Sequence, residues 1–252
     1  MRNALPPIFL LVFLVGAWEL ICRALAVPPY LLPAPSRIAT ALLGNAAILG
    51  AAAWRTLAMA LQALIVASLF ANTLALAVSI SRTLDQAVRP LAVALQVTPV
   101  VAIAPLFVIW MGVDHPDRAI IALAAIVAFF PIFSGAASGL NSADPDLERL
   151  FDLYGATPMQ KLLRLRLPSA IPFMLEGHKV AAGLAIIGAV VAEWVAGSGG
   201  AQGLAWRILE AGNRLQTDRM FAAILVLAVM AMALHVVLQM LERRALKWWR
   251  GR

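Results

Sequence analysis

A polar island, Asn141 to Pro168 (NSADPDLERLFDLYGATPMQKLLRLRLP), sits between long apolar runs and restricts the chain more than any other stretch. Its neighbours are long enough to cross a bilayer, so an island this charged belongs outside the hydrocarbon. Asp144 suits a helix N-cap with Pro145 at the first helical position, and Asp146 and Glu148 favour the positive end of the dipole. Leu147, Leu150, Phe151 and Tyr154 then share one face. Gly155 is placed to end that helix in the left-handed conformation, with Ala156 in the turn. Thr157, Pro158 and Gln160 form a capping box that starts a second helix, expected to end at Leu167 before Pro168.

Composition sets the class. Hydrophobic residues make up 62% and charged residues 13%, with mean hydropathy +0.87, against about 25% charged in soluble domains. This predicts an all-α polytopic membrane protein, one membrane domain over 1–252 with about six spans: Pro7 to Ala26, Thr56 to Ile80, Leu91 to Met111, Ala119 to Leu140, Ile171 to Ala196 and Phe221 to Leu241. Ala24-Leu25-Ala26 resembles a cleavage site, but Glu19 and Arg23 suit an uncleaved anchor better. Lys and Arg concentrate beside the island and after Glu242, which predicts both termini and the island on the cytoplasmic side. Arg55, Arg118, Arg207, Arg214 and Arg219 then fall outside. The single cysteine, Cys22, excludes an intrachain disulfide or a cysteine metal cluster. The +7 charge is dispersed among loops and a basic tail over about 242–252 with Trp248 and Trp249, so the expected partner is anionic lipid and not nucleic acid.

Gly155, followed after nine residues by Leu165, Arg166, Leu167 and Pro168, resembles the EAA loop of permease subunits in binding-protein-dependent ABC importers. The E-A-A positions are occupied here by Arg149, Leu150 and Phe151, with an acid one place early at Glu148. Pro33, Pro35 and Ser36, the stretch Pro99 to Gly112, and Ala192-Glu193 before Gly197 to Gly200 are similar to the nitrate, sulfonate, taurine and pyrimidine-precursor branch. The resemblance implies the type I importer fold with a cytoplasmic coupling helix over about 141–168. It also implies a second permease subunit, taken as an identical copy, two ATP-binding subunits, a periplasmic or lipid-anchored solute-binding protein, and residence in a bacterial cytoplasmic membrane. Glu148, Arg149, Leu150, Phe151, Tyr154, Gly155, Ala156 and Thr157 would make up the ATPase-coupling element.

A translocation path is sought among intramembrane polar and kinked positions. Pro99 and Pro105 interrupt the third span near Gln96 and Thr98, and Pro131 interrupts the fourth. Lys179 and His178 lie about ten residues beyond Pro168, roughly 15 Å along a helix, where a water-filled vestibule or an internal pairing would hold them. Glu193 and Trp194, near the external end of the fifth span, suit a gate or a carboxylate at the water interface. Gln96, Thr98, Pro99, Trp110, Lys179, Glu193 and Trp194 are therefore the path candidates, more aromatic and amide-like than basic, which favours a heterocyclic or other small organic solute. Glu19 is expected to make a structural hydrogen bond.

Catalytic motifs are missing from the sequence. It has no G-x-x-x-x-G-K-[ST], so ATP would be bound by another chain and no cofactor is expected in this one. Ser138 lacks the G-x-S context of a nucleophile elbow, and no H-E-x-x-H or other metal-ligand pair occurs. A secondary transporter or channel would need no ATPase and would carry an internal inverted repeat, which is not visible.

Overall fold

The computed structural model describes residues 5–196 and 202–249. In order, the helices are α1 (Leu5–Ala24), α2 (Pro35–Gly44), α3 (Ala46–Ile80), α4 (Arg82–Val97), α5 (Val100–Met111), α6 (Pro116–Leu140), α7 (Pro145–Leu153), α8 (Pro158–Lys161), α9 (Leu167–Ala196), α10 (Leu204–Asn213) and α11 (Thr217–Trp249), with a π-helical turn, Leu162–Arg166, joining α8 to α9. The described residues contain no strand. The Gly197 to Gly200 loop, Arg250 to Arg252 and the side chain of Trp248 lie outside the described residues.

Among the described residues, four single helical segments are long and apolar enough to cross a membrane: Ala46–Ile80, Pro116–Leu140, Pro158–Ala196 and Thr217–Lys247. The pair α4 and α5 is a fifth candidate, bent by 98°. Six spans were expected. The one expected over Pro7 to Ala26 falls on α1, Leu5–Ala24, part of whose side chains lie outside the described residues. The third is not one helix at all. Thr98 and Pro99 are extended (ψ 123° and 108°), as a residue before proline prefers, and Thr98 Oγ1 turns back to Ala94 O at 2.7 Å. The kink expected at Pro99 is therefore a full break, whereas Pro131 is carried within a continuous α6.

The chain divides into two compact units, Met1–Arg55 with Gln202–Met230, and Thr56–Ala201 with Ala231–Arg252. In the first, Ile38, Leu49, Ala52, Leu204, Ala222 and Ala223 form a buried core. Glu19 accepts hydrogen bonds from Ser36 N at 3.0 Å and Ser36 Oγ at 2.8 Å. This is the structural hydrogen bond expected of it, and it satisfies a donor in the first turn of α2.

The second unit is built on α6 against α9. Small residues let the two backbones approach: an added Cβ would lie 2.7 Å from Phe173 O at Gly135, 2.6 Å from Pro131 O at Gly177, and 2.9 Å from Ala124 Cα at Gly188. Such contact replaces the hydrophobic drive that lipid does not supply between membrane helices. The island connects these two packed helices, so its position is set by the pair.

Candidate functional site

The local signals in the island fold as the sequence dictates. Asp144 accepts from Asp146 N at 2.8 Å and caps α7. Gly155 has φ 66°, and Ala156 N reaches back to Phe151 O at 2.9 Å, closing the helix with a left-handed residue. Thr157 Oγ1 accepts from Gln160 N at 3.3 Å while Gln160 Oε1 accepts from Thr157 N at 2.8 Å, a complete capping box.

The second helix does not stop at Leu167. It passes through the π turn into α9, and Leu167 N bonds Leu162 O. A π turn widens the ring of backbone bonds just before Pro168, which relieves the clash its pyrrolidine would make with the preceding turn. The island is thus welded to a membrane helix at its C-terminal side.

Two ion pairs fix α7 on that base, and a further contact ties the base to α3. Arg166 Nε donates to Glu148 Oε1 at 2.7 Å, Arg166 Nη1 reaches Ser79 O at 3.4 Å, and Lys161 pairs with Asp152. Glu148 therefore faces inward, whereas Arg149 is bound only to Asp146 at 3.0 Å and projects outward, 78% exposed. Leu150 and Tyr154 are exposed and Phe151 is half-buried. Leu153, 85% exposed, joins this surface. Sequence reasoning missed it because it lies off the stripe through Leu150 and Phe151. Leu150, Phe151, Tyr154, Ala156, Gln160 and Arg164 line a cleft of about 320 Å³. An amphipathic helix with exposed leucines and a tyrosine, held rigidly at both ends, suits a partner's groove.

The path candidates are spread over α4, the α4–α5 break, α5 and α9. Gln96 and Pro99 are exposed at the α4–α5 break, and Trp110, 65% exposed, lies tilted against Phe107 with ring centroids 5.6 Å apart near the end of α5. Lys179 is held by Glu176 and by Glu242 of α11 at 3.1 Å, so the internal pairing is the form observed. Glu242 is no part of a loose tail, since α11 continues to Trp249. His178 also ties elements together: its Nδ1 faces Met174 O at 2.7 Å, which leaves Nε2 to accept from Ser68 Oγ of α3 at 2.8 Å. Glu193 is 0% exposed, with Thr56 Oγ1 donating to Oε2 at 3.4 Å, which is not the setting of a carboxylate at a water interface. Trp194 beside it is exposed. No group of three or more His, Cys, Asp or Glu side chains among the described residues is placed to hold a metal.

Residues 63–247 match the family described as binding-protein-dependent transport system inner membrane component. The chain belongs to that family. It is a multi-pass permease of the ABC importer class with the type I importer fold. It is 31% identical to a probable ABC transporter permease protein of Haemophilus influenzae, over 95% of this chain and 96% of that one. It is 32% identical to the formylaminopyrimidine transport permease protein ThiX of Halalkalibacterium halodurans, over 98% and 96%. To the taurine transport system permease protein TauC of Escherichia coli it is 30% identical, over 94% and 87%. These likenesses place the permease in the sulfonate, taurine and pyrimidine branch, and the family match spans the island, the α6–α9 pair and most of α11.

Proposed function

We propose that this permease lines the translocation path of an ATP-driven importer, accepting a small organic solute from a solute-binding protein. The observation that carries the reading is α7: a short helix with exposed Leu150, Leu153 and Tyr154, fixed by Glu148–Arg166 to the base of α9. Such a helix is a lever. A separate ATP-binding subunit would seat the apolar face in a groove, and closure of two such subunits on ATP would displace α6 and α9 together. Arg149, Ala156 and Thr157 border the seat, and Gly155 sets the angle between α7 and α8.

Two permease copies would enclose the path, with the α4–α5 break as its movable wall and Gln96, Thr98, Pro99 and Trp110 along it. Glu193, buried beside Thr56, would act as a gate with Trp194 at the external end, and Lys179 would hold α9 to α11. Both termini and the island would face the cytoplasm of a bacterial inner membrane. The relatives named for taurine and formylaminopyrimidine transport favour a sulfonate or pyrimidine-type solute.

The test is reconstitution. Proteoliposomes containing the permease, a coexpressed ATP-binding subunit and a solute-binding protein should import labelled taurine, an alkanesulfonate or a formylaminopyrimidine only with internal ATP. Uptake by the permease alone, without the ATP-binding chain, would favour a secondary transporter and overturn the reading.

A further inference from the structure

We infer that the first unit carries a binding pocket for the oxyanion group of a small sulfonate or carboxylate. Where α2 meets α3, and along α10 and the start of α11, a cavity of about 180 Å³ is lined by Arg207, Arg214 and Arg219 with a single carboxylate, Glu210, and by the polar residues Asn45 and Gln216.

One carboxylate in the lining does not balance three arginines. Glu210 is shared, accepting from Arg207 Nη1 at 2.9 Å and from Arg214 Nη2 at 3.0 Å. Among the described residues, Arg219 Nη1 meets only the neutral amide of Gln216, at 3.0 Å. The nearby Asp218 carboxylate is occupied by the Arg219 backbone N–H at 2.9 Å. Arg207 is underused: its Nη2 has a long 3.4 Å contact with Gln202, and its buried Nε has no acceptor among the described residues. A guanidinium fork with open donors matches two oxygens of a carboxylate or of a sulfonate.

The backbone supports the placement. Leu215 adopts φ 55° between Arg214 and Gln216, an uncommon conformation for a leucine, and Gln216 N closes the turn onto Ala211 O at 2.9 Å. The turn thereby sets Arg214, Gln216 and Arg219 around one opening. Retention of cytoplasmic charge does not account for these arginines, since the charge bias of the sequence puts them on the external side. Use of the pocket as a first contact for an anionic solute rests on the importer reading. Binding to the purified permease does not, so the two fail separately.

The experiment is thermal unfolding of the full-length permease in maltoside micelles, followed by tryptophan fluorescence at fixed ionic strength. Methanesulfonate and acetate should each raise the midpoint in a saturable way, and uncharged dimethyl sulfone should not. Arg207→Gln and Arg214→Gln should each weaken the apparent affinity at least about tenfold. Glu210→Gln, which removes the competing carboxylate, should tighten it. If any of these variants fails to fold, Arg219→Gln, at an exposed side chain, supplies the loss-of-affinity arm. A flat response to both anions, or the same response in all variants, overturns the inference. Stabilisation by phosphatidylglycerol nanodiscs without any effect of methanesulfonate in micelles assigns the pocket to lipid headgroups and overturns it equally.

Discussion

Arg166 Nε lies 2.7 Å from Glu148 Oε1, and Nη1 of the same guanidinium reaches Ser79 O at 3.4 Å. One side chain thus joins α7, the π turn below α9 and the end of α3. The pair is about one-third exposed, so its direct contribution to stability is only about 1 kcal/mol. Its larger role is geometric, because it ties α7 to the base of α9 and to the end of α3.

Glu148→Gln and Arg166→Gln should therefore leave the permease folded while lowering the solute imported per ATP hydrolysed. The doubly exchanged Glu148→Arg, Arg166→Glu chain should recover part of that ratio. A ratio unchanged in both single variants would show that the pair does not transmit the stroke.

The α6–α9 contact is intolerant of volume. Gly177→Ala puts a Cβ 2.6 Å from Pro131 O, whereas Gly183→Ala meets nothing within 4 Å. The first should cost about 1–3 kcal/mol through overpacking, and the second should be neutral or stabilising. Half-lives of the purified permease at elevated temperature separate them, and equal half-lives would contradict the close approach.

Glu193 is buried beside Thr56. Glu193→Gln keeps the shape but removes the charge, and should lower uptake about tenfold, equivalent to 1.4 kcal/mol, with assembly and basal ATPase activity unchanged. Wild-type uptake across solute concentrations would remove Glu193 from the gate.

Orientation is checked by labelling. In a Cys22→Ala background, a cysteine at Asp114 should react with an impermeant maleimide from outside, and one at Tyr154, 83% exposed, only after permeabilisation. The reverse pattern would invert the topology.

Much of the island was legible because its signals are local: Asp144, Gly155, Thr157 and Gln160 each act within a few residues of themselves. The ion pairs were not, since Glu148 and Arg166 meet across a turn whose angle no short-range pattern sets. Pro168 misled because a π turn can absorb a proline that an α-helix would not. The third span misled for a related reason. Hydropathy averages across Thr98 and Pro99, while the backbone breaks there. The path residues were chosen by polarity one at a time, and polarity cannot say which of them a fold brings together. The arginine pocket went unseen because its members come from the start of α3, from α10 and from the turn into α11.

The central claim is that α7 couples the permease to an ATP-binding subunit. The most direct measurement is ATP-dependent uptake together with copurification of that subunit, in Phe151→Asp and Gly155→Val chains. The first puts a charge into the apolar seat. The second forces a β-branched residue to φ 66°, at a cost of about 1–2 kcal/mol, and misaims the turn. Loss of copurification, or ATP hydrolysis without uptake, in a permease inserted at normal levels is the expected result. Intact assembly and intact ATP-dependent uptake in both variants would contradict the account.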